Sequence, residues 1–294
     1  PICECQAQGI ARFEWSHLFT QWGAAHAPRV YEGHGADRRA LWDDRTAGTS
    51  DIYTRFLSRL LPELERFLAI EGLHERSHFH LSDEPDGDEA LTNYRAAREL
   101  VRRLAPWMRV MDALSDVRFA AEGLIDVPIP IVSTAPDFLV QGHTAWTYFC
   151  TEPRGRYVNR LIDTPLPNLR MLGWLLYRTG AKGFLHWGYN YWYRHLTTEL
   201  VDPYRVTDGG GSALPSGDAF VVYPGDDGPV DSLRWEVFSE SMQDLALLQH
   251  SGITTDHPLL AGLRDFADFP RDREWLVRSR RRVLSAVAES QSSG

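Results

Sequence analysis

Cysteine is scarce in this 294-residue chain, and its three residues, Cys3, Cys5 and Cys150, cannot form a disulfide framework. Cys3 and Cys5 also stand too close in sequence for an ordinary structural bridge. A reducing compartment is favoured, and with it a cytoplasmic location. No apolar run approaches the roughly 20 residues that span a bilayer, and the amino terminus lacks the charged, apolar and small-residue regions of a secretory signal. Basic charge is short as well: 31 Lys and Arg stand against 40 Asp and Glu, a net charge of -9. That balance disfavours nucleic acid as a partner and suits a neutral or small-molecule ligand. The glycine run Gly209-Gly210-Gly211-Ser212 is followed by no Lys-Ser/Thr and opens no helix, so it reads as a mobile lid and not a phosphate loop. The acidic stretch 83–89 lacks the twelve-residue spacing of a calcium loop.

What is present is enough apolar and aromatic material, 43% and 12%, for one large core, so a single α/β domain over residues 1–294 is expected. Strand-like runs recur at 10–15, 78–82, 109–113, 128–132, 145–150 and 183–187. Helical patterns alternate with them at 51–68, from Asp88 to Leu104, and at 166–179, where Gly180 is a good terminator. Pro62 is expected to kink the first of these helices or mark its start. Such βα repetition predicts a parallel sheet, and we read it as a (β/α)8 barrel of the TIM type. Six strands are countable. The run 219–223 is an accessory strand, helices within 232–288 pack on the barrel, and the first one or two strands would precede Pro1. Residues 291–294 form a polar tail.

The most informative residues are Ser82-Asp83-Glu84-Pro85, two adjacent carboxylates where a strand stops and a proline prevents further pairing. Paired acids at the carboxyl end of a barrel strand are the equipment of glycoside cleavage: one is kept protonated for the leaving oxygen, the other charged for the cationic centre. Glu84 is the candidate acid and Asp83 its charged partner. Strict alternation would place Glu84 on one face with His78, His80 and Ser82, and Asp83 on the other. For both to serve one substrate, the chain must turn at this pair. The alternative is that Asp83 caps the loop and Glu84 alone points inward. His78 and His80 at spacing two offer a weaker, metal-binding reading.

Aromatics supply the second signal. In Phe184-Leu185-His186-Trp187-Gly188-Tyr189-Asn190-Tyr191-Trp192-Tyr193 they run past a strand end into a loop, and flat rings suit the apolar face of a sugar. Trp187 reads as a substrate wall, Asn190 as a hydrogen-bonding partner, and Tyr191 and Tyr193 as core. Trp146 and Tyr148 repeat the pattern on another strand, and His17 stands at the end of the first.

The ordered set His17-Leu18-Phe19 with Trp22-Gly23, Leu81-Ser82-Asp83-Glu84-Pro85, residues 183–190, Gly217-Asp218 with Tyr223-Pro224-Gly225, and Ser232-Leu233-Arg234-Trp235-Glu236 resembles the catalytic domain of glycoside hydrolase family 123. The resemblance spans roughly residues 10–249. It implies a retaining β-N-acetylgalactosaminidase acting on a glycan or glycoconjugate with a terminal amino sugar, without metal, cofactor or protein nucleophile. The sugar's own acetamido oxygen would attack, with Glu84 as acid and base and Asp83 orienting the acetamido N–H. It also implies a substrate pocket, for which we select His17, Trp22, Trp146, Tyr148, Trp187, Asn190 and Trp192.

Overall fold

The computed structural model describes residues 2–292; Pro1, Ser293 and Gly294, the last two from the polar tail, lie outside the described residues. The chain divides into two compact units, one ending at Pro130 and the other beginning at Ile131.

The first unit contains α1 (Ile2–Ala7), β1 (Phe13–Trp15), β2 (Tyr31–Glu32), β3 (Arg39–Ala40), α2 (Asp51–Ile70), β4 (Ser77–Phe79), α3 (Gly87–Leu104), β5 (Met111–Ala113), α4 (Arg118–Ala121) and β6 (Val127–Ile129). β1 pairs in parallel with β4, Phe79 bridges Val110 in the same sense, and β5 pairs in parallel with β6. The four strands therefore lie side by side in chain order. Every residue of β4, β5 and β6 is buried, the mark of parallel strands covered on both faces. β1 is pinned to β4 by Trp15, whose Nε1 donates to Ser77 Oγ at 2.9 Å.

Helix α2 buries Tyr53, Leu57, Leu61 and Leu68 along one stripe. It runs from Asp51 through Pro62 as one helix, so the proline does not mark its start. Pro62 and Ser58, whose carbonyl the proline cannot bond, are both exposed, on the side of the helix where a missing backbone bond costs least. Helix α3 begins at Gly87, one residue before the expected Asp88, with Asp86 extended at its N-cap.

The second unit contains α5 (Ala135–Val140), β7 (Thr147–Tyr148), α6 (Leu166–Arg170), α7 (Leu172–Thr179), β8 (Phe184–Leu185), β9 (Val222–Gly225), β10 (Gly228–Asp231), α8 (Leu233–His250) and α9 (Arg273–Ser292). β7 pairs in parallel with β8, and Ile131 bridges Tyr148 in parallel. The single helix expected over 166–179 is two, divided at Met171, whose amide turns back three residues to Asn168. Gly180 terminates α7 at φ 81°, as its position predicts. The accessory strand lies later than 219–223: Val222–Gly225 forms an antiparallel hairpin with Gly228–Asp231.

Trp174, Phe149 and Phe266 centre the core of this unit. Helices α7 and α8 meet at Gly173, where an added Cβ would stand 2.0 Å from the Ser241 carbonyl oxygen. Its amide donates to Ser241 Oγ at 2.7 Å. Asp244, fully buried on α8, gathers Arg170 Nε at 2.8 Å, Trp174 Nε1 at 3.0 Å and Arg280 Nε at 2.9 Å, joining α8 to α6, α7 and α9.

The strands are shorter than the sequence runs, and the described ladders form small sheets that do not close into a barrel. At 78–82 the cause is visible: the amides of Leu81 and Ser82 donate to the Asp112 carboxylate at 3.1 and 3.3 Å instead of to a neighbouring strand. No helix among the described residues is long and apolar enough to cross a membrane. Cys5 and Cys150 carry free thiols; the side chain of Cys3 lies outside what is described.

Candidate active site

In the first unit the segment after β1 lies against the loop after β4. Leu18 and Phe19 donate their amides to the carbonyls of His80 and Leu81, each at 2.9 Å, and Trp22 donates to that of Asp83 at 2.7 Å. Ser82 Oγ accepts from Gly23 and Ala24, both at 3.0 Å, and donates to the Thr20 carbonyl at 2.8 Å. Gly23 is required here: φ is +123°, and an added Cβ would approach Ala90 Cβ to 2.7 Å. The loop carrying the two acids is thus held by its neighbour's backbone.

The chain does turn at the acid pair. Glu84 has φ 46°, a left-handed conformation costing about 1–2 kcal/mol for a residue with a side chain, and its amide donates to the Ala113 carbonyl at 2.9 Å. Asp83 is half-buried and Glu84 exposed, with Pro85 buried behind them. Burial, then the neighbouring Glu84 and Asp112, push the Asp83 carboxyl up to about 6, against a hydrogen bond from Gln21 and the charge on His80.

Below the pair sits a polar network that strand patterning does not disclose. Asp112, fully buried on β5, accepts from Tyr94 Oη at 2.7 Å and faces His80 Nδ1 at 3.1 Å, besides the two backbone amides. The other nitrogen of His80 is 3.5 Å from Glu14. Burial lowers the His80 pKa, but hydrogen bonds and charge from Asp112 and Glu14 outweigh it and raise it to about 9. His80 is therefore an imidazolium at neutral pH. His17, with its ring 4.7 Å from that of His80, is driven the other way, by burial and then by the charge on His80.

Ligand atoms of His17, His80 and Asp112 lie within 4.8 Å of one another, the one group among the described residues with metal-ligand spacing. His78 is not a member. A metal there would have to displace the proton that two carboxylates hold on His80, so the donor set fits a metal poorly.

In the second unit β7 carries Trp146 at its edge and Tyr148 within it, and β8 leads into the aromatic loop. Tyr148 is buried; Trp146 is half-buried, its ring lying where a Cβ on Gly183 would be, at 2.3 Å. Trp187 is 44% exposed and donates its indole N–H to Asp218 at 3.0 Å. Asn190 is exposed beside it in sequence, and its backbone bridges Phe220. Trp192 donates to the Val222 carbonyl at 3.0 Å. Tyr191 packs edge-on to Trp187 at 5.3 Å, while Tyr193, expected in the core, is exposed because it sits on a two-strand turn opposite Leu200.

The first unit brings together Asp83, Glu84, His17 and Trp22; Trp22, 71% exposed, is left-handed at φ 62°. The second groups Trp187, Asn190 and Trp192 on one loop, with Trp146 and Tyr148 on the strand paired to β8. Sequence reasoning missed Asp112, Glu14, Tyr94 and Arg160. Asp112 carried a signal: a lone carboxylate in the apolar run Val110-Met111-Asp112-Ala113-Leu114 is costly to bury without a positive partner.

A family model of the glycoside hydrolase 123 catalytic domain matches residues 2–251. Among solved structures, a family 123 glycoside hydrolase from Clostridium perfringens, described for its hydrolysis of glycolipid glycans, superposes with TM-score 0.63 at 14% identity over 90% of this chain. The chain spans about half of that protein, 49% of its length. No curated protein matches the chain. With most of its length matched by the family model, the chain belongs to glycoside hydrolase family 123.

Proposed function

We propose that this glycoside hydrolase removes terminal β-linked N-acetylgalactosamine with retention, by a substrate-assisted mechanism in which Glu84 is the acid and base and Asp83 the acetamido partner. The observation that carries the reading is the left-handed turn at Glu84, which sets two adjacent carboxylates at one strand end in different surroundings, one half-buried and one exposed. Adjacent groups suit adjacent tasks. Glu84 protonates the glycosidic oxygen while the acetamido oxygen attacks the anomeric carbon, giving an oxazolinium-type intermediate and breaking the bond to the leaving group. The same carboxylate then takes a proton from water as water opens that intermediate. Asp83 accepts the acetamido N–H and stabilises its growing positive charge.

Burial, Glu84 and Asp112 make Asp83 reluctant to ionise. A cationic acetamido group supplies the opposite charge that this carboxylate lacks, so its interaction strengthens as the reaction proceeds, which is the condition for catalysis. His80, held charged between Glu14 and Asp112, keeps the surroundings of the acid pair from becoming wholly negative. In the first unit His17 and Trp22 are proposed to bind the sugar beside the acid pair; in the second, Trp146, Tyr148, Trp187, Asn190 and Trp192 are proposed as sugar-binding residues, whose apolar rings suit the apolar face of a sugar. We further propose that the parallel strands belong to a (β/α)8 barrel forming one catalytic domain. Their chain-order pairing and the likeness to the Clostridium perfringens enzyme support this. That enzyme's hydrolysis of glycolipid glycans extends the candidate substrates to glycoconjugates.

The test is hydrolysis of an aryl 2-acetamido-2-deoxy-β-D-galactopyranoside by the parent chain and by Glu84→Gln, with the gluco epimer alongside. Turnover in the parent that falls at least about 100-fold in the variant supports the proposal. Sugar binding without turnover in the parent supports a carbohydrate-binding protein instead, and equal turnover in both proteins removes Glu84 from the mechanism.

A further inference from the structure

A buried polar chain in the second unit ends on exposed Trp187, and the hydrolytic steps leave it without a task. Asp218 is fully buried, and its Oδ2 accepts the Trp187 indole N–H at 3.0 Å. Its Oδ1 faces His186 Nε2 at 3.5 Å, and neither of these buried atoms has another hydrogen-bond partner among the described residues. On the far side of the ring, His186 Nδ1 accepts the Gly188 amide at 3.1 Å and lies 2.6 Å from Arg160 Nη2. A nitrogen facing two donors carries no hydrogen, so the neutral ring has its proton on Nε2, aimed at Asp218. Burial, reinforced by Arg160 and opposed by Asp218, pushes His186 down to about 4, which keeps the ring neutral at neutral pH.

The support beneath is equally fixed. Arg160 also donates to the Gly188 carbonyl. Arg234 donates to the carbonyls of Arg160 at 2.9 Å, Gly217 at 2.7 Å and Phe220 at 2.9 Å. Gly188 admits no side chain, since a Cβ would stand 2.5 Å from the Asp218 carbonyl oxygen. Burying a carboxylate is costly, and here its one hydrogen-bond donor within 3.0 Å among the described residues is the indole of a ring that is 44% exposed. Trp187 has Tyr191 against it edge-on at 5.3 Å, so ring contact and hydrogen bond together fix its plane.

We propose that Asp218, oriented by His186, is a positioning residue that holds the exposed face of Trp187 in place for the apolar face of a sugar ring. This rests on the reading of Trp187 as a wall of the sugar pocket. Two variants isolate the hydrogen bond. Trp187→Phe keeps an aromatic face and removes the N–H. Asp218→Asn keeps the volume but sets an NH2 group against either the indole or the His186 Nε2–H, because Arg160 and Gly188 prevent His186 from moving its proton. Each variant is expected to raise KM for the aryl glycoside about tenfold, the worth of one hydrogen bond, with kcat within about twofold of the parent. The double variant should be no worse than the poorer single one.

A readout independent of turnover is the indole N–H resonance of Trp187, identified by its loss in Trp187→Phe. It should exchange slowly with solvent in the parent and shift on addition of N-acetylgalactosamine. A parent KM in Trp187→Phe overturns the proposal, whether or not Asp218→Asn folds. So does a parent KM in a folded Asp218→Asn, or no shift of the resonance with the sugar. Absence of turnover in the parent counts against the hydrolytic function, while the resonance still decides the positioning role.

Discussion

His80 gives the sharpest link between the structure and a measurable stability. Its ring is 8% exposed, with Nδ1 at 3.1 Å from Asp112 and Nε2 at 3.5 Å from Glu14. The titratable groups that interact with it include those two carboxylates, His17, His78 and Asp83. Its pKa rises from 6.5 to about 9 on folding. A raised pKa means that the folded state binds the proton more tightly than the unfolded chain, so this contribution is fully present below pH 6.5 and is lost as pH rises through about 9. At about 1.4 kcal/mol per tenfold change in proton affinity, the loss amounts to roughly 3 kcal/mol. Urea denaturation of the parent at pH 6, 7, 8, 9 and 10 should show most of that fall between pH 7 and 9. His80→Gln should be less stable at pH 6 and show no such step, and an NMR titration of the His80 ring should give a midpoint near 9. A parent whose stability is level across this range, or a step that survives in His80→Gln, refutes the reasoning.

Asp83 sets a second pH dependence, in activity. Its carboxyl ionises at about 6, and the proposed acetamido partner must be charged, so kcat/KM should fall as pH drops below about 6; an acid limb near 4 contradicts this. Gly173→Ala should lose about 1–3 kcal/mol in urea denaturation, because the new methyl meets the Ser241 carbonyl oxygen at 2.0 Å; a neutral effect would mean the helices separate freely. Asp244→Ala should cost about 3–5 kcal/mol, since it leaves Arg170 and Arg280 without their buried carboxylate; a loss below 1 kcal/mol would show that those arginines find other partners.

Much of the fold was legible where local chemistry decides it. The helices followed from apolar spacing, and Gly180 and Ser232 marked ends that the backbone respects, Ser232 by accepting the Trp235 amide. The parallel strand order followed from alternation of runs. Strand lengths did not, because a remote side chain, Asp112, takes amides that a strand neighbour would otherwise satisfy. The break at Met171 and the continuity through Pro62 also depend on what faces solvent, which periodicity reports poorly.

The acid pair was legible because adjacent carboxylates before a proline are conspicuous in sequence. Its support was not. Glu14, His80 and Asp112 come from three separated segments, and only folding shows that one imidazole is clamped between the two acids. The spacing of His78 and His80 suggests a pair of metal ligands, and the two carboxylate neighbours of His80 change that reading to a charged donor. Asp218 is conspicuous beside Gly217 in the sequence, yet its contact with Trp187 crosses 31 positions of chain.

The most direct test of the central claim is the dependence of the rate on the substrate's own acetamido group. Aryl β-galactosides bearing either a 2-acetamido or a 2-hydroxyl group should be compared in the parent and in Asp83→Asn. The account predicts that the parent cleaves the acetamido substrate at least about 100-fold faster and that Asp83→Asn abolishes most of that preference. Equal rates on the two substrates in the parent, or an undiminished preference in Asp83→Asn, would contradict substrate assistance by this pair.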